Sequence, residues 1–432
     1  MIGRILERLA ARVSAADTVV KADDTLSLAI SADGDSRATS ARSRTTHLRL
    51  LHDGRVGHAW TSGEEAEELI ERAFASAGSG GALELLLPAP APLPEVVSRA
   101  PHAAAADVVT LDRLARALFE RLQHSGRRVE VWAERAVGSV QVANTRGVHA
   151  GYQATLAGVG AVVESLGAGW APPCRVRAVS VVLPELPDIE RLVSEVETRL
   201  SPPLLDSVQL PAAPAVCLAP RAAATFLRPL RAALLGYEAW LGSSPLRGRL
   251  GDRLFDEKLS LTDDPLAPGR PASRPIDDDG VVSRRVPLIE RGRPISFLAD
   301  LEIGARAQVP STGHAWRTPS AASRVGFTNL RITPGIESRA TLLTMMGRGL
   351  LIEDLEWGGG PNPLTGTLAL RAPWCYLVEG GVVRGRIDGV LLSGNVFKAL
   401  AQLPALGSDA TWIGALYTPS MLVEGLTVAI KA

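Results

Sequence analysis

The sequence predicts an α+β protein: an N-terminal domain, residues 1–207, with helices packed on an antiparallel sheet, followed by a β-rich C-terminal domain, residues 208–432. Two observations carry that expectation. In the first half, amphipathic helical segments alternate with apolar runs of strand length, an order that suits helices on one face of an antiparallel sheet. From about Arg284 onward, short apolar runs are separated by Gly, Pro and Asp, the punctuation of successive strands.

The first helix places Ile2, Ile5, Leu6, Leu9 and Val13 on one face and Arg4, Glu7, Arg8 and Arg12 on the other. Its charges interrupt any apolar core of a signal peptide, so it reads as a docking helix. Leu26 to Ile30 and Thr46 to Leu51 read as strands, and His52-Asp53-Gly54-Arg55 is the turn of a hairpin into Val56 to Trp60. Glu64 to Ala77 reads as an amphipathic helix with an acidic first turn. The Pro/Ala stretch from Leu87 to Ala106 reads as a surface loop. A helix over Asp107 to Ser125 then precedes strand-like runs at Val129 to Ala133, Val137 to Ala143 and Val148 to Leu156. Asp188 to Leu200 is a further helix ended by Ser201-Pro202-Pro203, which puts the domain boundary near residue 207. Ala222 to Leu241 has helical periodicity. Strands are expected at Val286 to Ile289, Ile295 to Leu298, Leu342 to Thr344, Leu368 to Leu370, Cys375 to Val378 and Gly389 to Leu392.

Composition narrows the function classes. The 432 residues are 46% hydrophobic, enough for a full core, and Lys+Arg balances Asp+Glu at 46 each. Bulk charge therefore gives no pull toward nucleic acid or an anionic membrane, and no run of about 18 apolar residues suggests a span. Cys174, Cys217 and Cys375 are far apart without a CxxC pair, which fits a reducing compartment, and the cytoplasm is the expected location.

The usual chemical motifs are missing. None of the histidines at 47, 52, 58, 102, 124, 149 and 314 is followed by Glu, so there is no HExxH helix on which two imidazoles hold zinc beside a general base. His47 and His52 lie in a strand pattern whose odd separation sends them to opposite faces. There is no GxSxG elbow, and Cys375 sits in the apolar run Ala-Pro-Trp-Cys-Tyr-Leu-Val as a small hydrophobe. Asp263-Asp264 and Asp277-Asp278-Asp279-Gly280 have the residue types of acid/base or calcium chemistry, but Pro275 and Gly280 make the second a turn into a strand. The glycines at 358–360 and Ser393-Gly394-Asn395 lack the Lys-Ser/Thr of a phosphate loop. Close approach of another backbone, such as an extended peptide, is the better reason for them.

The C-terminal half resembles a known family. Trp357-Gly-Gly-Gly-Pro-Asn-Pro-Leu-Thr365-Gly366, the strand ending Val378-Glu379-Gly380-Gly381, Ser393-Gly394-Asn395, Gly407-Ser408-Asp409 and the terminal Pro419-Ser-Met-Leu-Val-Glu-Gly-Leu-Thr-Val428-Ala429 are similar, in that order, to the TldD/PmbA pattern. Residues 274–281 and 288–292, with Leu48 to Trp60 and Val142 to Gly147, extend the resemblance over nearly the whole chain. Ile430 stands where the family has a terminal glycine, and His314 and Trp316 where it has a plainer segment. His314 is expected in a surface loop, with the lining of a peptide channel as the alternative.

The resemblance implies a pairing. TldD-type members of the family carry an HExxxH helix and a later cysteine that complete a zinc site, and they pair with PmbA/TldE-type chains that have neither. The corresponding helix here, near Ala222 to Leu235, has no His or Glu, and Tyr417-Thr-Pro-Ser-Met has no cysteine. The chain is therefore expected to be a PmbA/TldE-type subunit with no catalytic and no metal-ligating residue of its own, zinc belonging to the TldD-type partner. Its expected substrate is unfolded or leader peptide, held by Gly358, Gly359, Gly360, Thr365, Gly366, Ser393, Gly394 and Asn395, with no direct nucleic-acid or membrane partner. Two alternatives are a self-contained peptidase with an unrecognised site and a peptide-binding homodimer without protease activity.

Overall fold

The computed structural model describes residues 2–430 other than 64, 125, 166–173, 181–185, 206–207, 212–213, 319–320 and 358–362. The fold is α+β throughout. Six strands form the first sheet: β1 (Ala15–Ile30), β2 (Ser36–His52), β3 (Arg55–Thr61), β4 (Arg127–Asn144), β5 (His149–Ser165) and β6 (Cys174–Ser180). They lie in the order β3-β2-β1-β4-β5-β6 and every pairing is antiparallel. The hairpin turn at Asp53 and Gly54 has the positive φ its two-residue loop needs.

Strand period 2 sorts the residues of this sheet. Ala16, Leu28 and Ile30, all even positions of β1, face helices Ile2–Leu9, Ala66–Ser79, Val108–Leu122 and Leu186–Leu200 through Leu9, Leu69, Leu118 and Leu192. Asp107 caps the third of these helices by accepting from the Thr110 N–H at 2.9 Å. Odd positions such as Asp17 and Lys21 meet the C-terminal half instead.

That half contains an eight-stranded sheet with the path Ala405–Leu406, Met421–Val423, Ala215–Leu218, Arg348–Trp357, Thr367–Glu379, Val390–Asn395 and Thr427–Ile430, with Val382–Ile387 also paired to Thr367–Glu379. A second, six-stranded sheet includes Val286–Glu290, Leu261–Asp263, Leu330–Ile332 and Leu416–Thr418. Helices Pro220–Phe226 and Arg228–Ala233 share a core with both, through Phe226, Leu230, Leu288, Leu330, Leu350 and Leu370. The other face of Thr367–Glu379 sends Trp374, Tyr376 and Val378 against the N-terminal helices, so one core crosses from the first half to the second. No described helix is long and apolar enough to cross a membrane.

Three sequence expectations are corrected. Leu342 to Thr344 lies in helix Arg339–Met346, because Ser338 caps it by accepting from the Thr341 N–H at 3.0 Å; a short apolar run has no period of its own. Ile295 to Leu298 is not a strand, since that strand ends at Pro294. The helical periodicity of Ala222 to Leu241 is divided into Pro220–Phe226, Arg228–Ala233 and Gly236–Leu241, with Pro229 opening the second piece. The boundary residue expected at 207 lies outside the described residues.

Candidate functional site

Five of the residues singled out in the sequence come together at one corner of the eight-stranded sheet. Thr365 ends a short 3-10 turn and Gly366 follows with φ +73°, where a Cβ would meet the Phe397 ring at 2.3 Å. The Val396 N–H donates to the Gly366 carbonyl at 2.8 Å. Asn395 caps helix Val396–Ala401 by accepting from the Lys398 N–H at 3.1 Å, and its Nδ2 donates to the Thr365 carbonyl at 3.0 Å. Gly394 packs against Leu426, and Ser393 pairs with Ala369 on one side and Thr427 on the other. The backbone here is thus spent on a cap and a ladder. Gly358, Gly359 and Gly360 lie outside the described residues.

A cleft opens beside this sheet, above helices Pro220–Phe226 and Arg228–Ala233. One cavity of about 710 Å³ is lined by Arg221, Thr225, Arg228, Arg231, Phe327 and Asp354; a second of about 1070 Å³ meets it at Arg221 and Ile413 and adds Arg199, Arg270, Arg339 and Trp412. Their floor includes an open strand edge. Ala215–Leu218 pairs with Arg348–Trp357 only as far as Ile352, so among the described residues Glu353 to Trp357 have a strand partner on one side alone. Glu195 accepts from Arg199 at 2.6 Å and Arg221 at 3.1 Å, and Glu353 is paired with Arg339. Burial pushes the Asp354 carboxyl up despite Arg221 and Arg199.

A second polar centre, built on the turn at Asp277 to Gly280 that the sequence predicts, is buried between the two halves. Asp277 accepts backbone N–H groups from Asp279, Val281 and Ala315 at 2.8–3.0 Å. Asp278 holds Lys21 Nζ at 2.5 Å, and Asp279 holds Arg49 at 3.0 Å and Arg317 at 2.9 Å. Arg49 also reaches Asp17 at 2.6 Å and Glu302 at 3.3 Å, and Glu302 takes His58 at 2.9 Å. Burial and Asp279 raise Asp277, whereas Arg49 and Arg317 outweigh burial and hold Asp279 low. His314, expected in a surface loop, is likewise completely buried, with Nε2 2.9 Å from Asp263 and Nδ1 against Thr312. The surviving sequence signal was the density of Asp beside isolated Arg on neighbouring strands. Asp17, Asp278, Asp279 and Glu302 pair with Lys21, Arg49 and Arg317 across the two halves, while Asp277 is held by backbone N–H groups, which marks the centre as an inter-half clamp.

Comparison with known proteins settles the family. A profile described as the PmbA/TldA metallopeptidase C-terminal domain matches residues 212–430, and one for domain 1 matches residues 17–77. The chain belongs to the PmbA/TldD family. A Haemophilus influenzae protein named as a metalloprotease PmbA homolog is 26% identical over 241 residues, 56% of this chain and 50% of its own length. A Saccharolobus solfataricus zinc metalloprotease TldD homolog is 27% identical over 227 residues, 51% of this chain and 50% of its own length. The chain spans half or less of the length of the curated relatives it matches first. Crystal structures of TldE from Thermococcus kodakarensis (TM-score 0.87, 22% identity, 99% of each chain) and of a Thermotoga maritima protein titled a modulator of a DNA gyrase (0.88, 21%, 99% of this chain and 100% of that one) share the fold.

Family relatives are named metalloproteases, which raises the question of whether this PmbA/TldD chain offers a zinc site. The donor set does not fit. On the helices that the sequence resemblance equates with the zinc helix, the cleft receives Arg221, Ala224, Thr225, Arg228, Arg231 and Leu235. A guanidinium has five donors and no lone pair for a metal. Among the described residues no group of three or more His, Cys, Asp and Glu is arranged to hold a metal ion. The three cysteines are buried, and burial pushes the Cys217 thiol up to about 12.

Proposed function

We propose that this chain is the non-catalytic TldE-type subunit of a heterodimeric TldD/TldE-type zinc metalloprotease, shaping the cavity and holding unfolded or leader peptides for cleavage by the TldD-type partner. The observation that carries this reading is the cleft itself: it is large enough for an extended chain, yet its helices present guanidinium groups where a metallopeptidase needs imidazoles and a carboxylate base. The open edge at Glu353 to Trp357 supports a peptide role, because main-chain hydrogen bonds along a strand hold unfolded sequences without demanding particular side chains. Thr365, Gly366, Ser393, Gly394 and Asn395 would contribute by fixing the adjoining corner, and Gly358, Gly359 and Gly360, which lie outside the described residues, are proposed peptide-binding residues on their sequence alone. Zinc and the hydrolytic step belong to the partner, and the complex works in the cytoplasm.

The test is cleavage of an unstructured fluorogenic peptide by the chain alone, by a TldD-type chain from the same source alone, and by both co-expressed. Full activity only in the co-expressed pair is the expected result. Cleavage by this chain alone would point to a self-contained peptidase and overturn the reading.

A further inference from the structure

Three arginines of the cleft lie over aromatic rings. Arg199 and Arg221 share Glu195, and Arg339 has Glu353, but among the described residues Arg228, Arg231 and Arg270 meet no carboxylate. Each instead lies over an aromatic ring: Arg228 over Trp357 at 5.3 Å, Arg231 over Phe327 at 5.3 Å and Arg270 over Trp412 at 4.7 Å. A ring occupies the face of a guanidinium and leaves its in-plane N–H donors free, the geometry that a carboxylate takes. The Nε of Arg231 is buried with no acceptor at all. Burial, with Arg228 beside it, also pushes Arg231 below the ordinary arginine range, the condition of a cation awaiting a counter-charge.

Asp263 favours the charge of Arg231 but is itself spent on His314 and the Thr328 N–H, and makes no ion pair with it. Asp409 is spent on the Ser420 N–H and hydroxyl, at 2.9 and 2.6 Å. Asp354 lines the same cavity, and a carboxyl group there makes a monoanion a better match than a dianion such as phosphate. Arg228 lies over Trp357, the last residue of the open strand edge, so an anionic group presented there would be carried by a chain running along that edge.

We propose that the cleft binds the carboxylate of an extended peptide on Arg228 and Arg231 while the peptide backbone adds to the edge at Glu353 to Trp357. The carboxylate is either the peptide's C-terminus or an acidic side chain. This rests on the peptide-holding part of the function proposed above, but not on the partner or on zinc.

Fluorescence anisotropy on the full chain, without the partner, tests it with one labelled unstructured peptide in four versions: with or without a single Glu→Gln change, each as free acid or C-terminal amide. Loss of the carboxylate that seats is expected to weaken binding about tenfold or more. Amidation or Glu→Gln then identifies its source. In R228Q/R231Q the preference should vanish, in R228Q alone, at an exposed position, it should shrink, and in R37Q, on the distant polar end of β2, it should persist. Equal binding of all four peptides, no binding of any, an unchanged preference in R228Q/R231Q, or stronger competition by a DNA oligonucleotide than by free glutamate peptides would overturn it. Cleavage of the peptide by the lone chain would instead sink the subunit reading and leave the carboxylate preference standing.

Discussion

At the scale of single residues, Arg49 and His47 neighbour each other on β2 and illustrate opposite ways of burying a titratable group. Arg49 is shared by Asp17, Asp279 and Glu302, and its removal strands buried carboxylates. Arg49→Met should cost about 3–5 kcal/mol of unfolding free energy in urea titrations, the usual penalty for breaking a buried pair from one side. His47 is buried beside Arg317 and Lys21, and burial first, then those cations, lower its pKa to about 4. With the folded value below the unfolded one of about 6.5, the neutral ring supports the fold fully above pH 6.5, and that support is lost as pH falls through 4. The effect is about 2 kcal/mol after allowance for residual solvent screening, and His47→Gln should flatten the stability-against-pH curve in that window. Glu302, held at about 2 by His58 and Arg49 against the pull of burial, adds its own loss below its unfolded value. None of this was legible in the sequence. Asp277, Asp278 and Asp279 read as a turn and no more because the residues that pair with Asp278 and Asp279, Lys21, Arg49 and Arg317, come from strands far away in the chain, and only the fold brings them within reach.

At the scale of elements, legibility followed period and punctuation. The helix at Val108–Leu122 was readable from its apolar face and Asp107 cap, and the 52–55 turn from Asp-Gly. The strands β1 and β2 were read as six residues or fewer but run to 16 and 17: in β2 the missed half is exposed and polar, with Arg37 to Arg44 carrying no alternation to detect, and in β1 Ala15 to Val20 are buried on both faces and so show no period of 2. Pairing with neighbours on the ladder, not local pattern, holds those halves extended. The corner at Gly366 shows how a motif can be recognised while its job stays hidden: the sequence marks a glycine, and the structure gives the reason as φ +73° under the Phe397 ring. Gly366→Ala should destabilise by about 2 kcal/mol or more in thermal melts, whether or not peptide is present. Ser338→Ala, which removes the cap of helix Arg339–Met346, should cost about 1 kcal/mol.

At the scale of the whole molecule, a core that runs from the N-terminal helices through Trp374 and Tyr376 and an ionic clamp join the two halves whose residues line the cleft. Such a scaffold suits a subunit that holds substrate and lets another chain do chemistry. Family membership was legible from the ordered C-terminal segments, since Thr365-Gly366, Ser393-Gly394-Asn395 and Pro419 to Ala429 can be recognised by residue type and order without the fold. The arginine lining was not, because Arg221, the Arg228 and Arg231 pair, and Arg270 come from three separate segments and acquire meaning only when they face one cleft. The central claim is that metal and hydrolysis reside in a partner. Metal analysis of the purified chain alone, and of its size-fractionated complex with a TldD-type chain, tests that most directly. The account predicts no retained zinc in the lone chain and zinc in the complex in proportion to the TldD-type chain; stoichiometric zinc in the lone chain would contradict it.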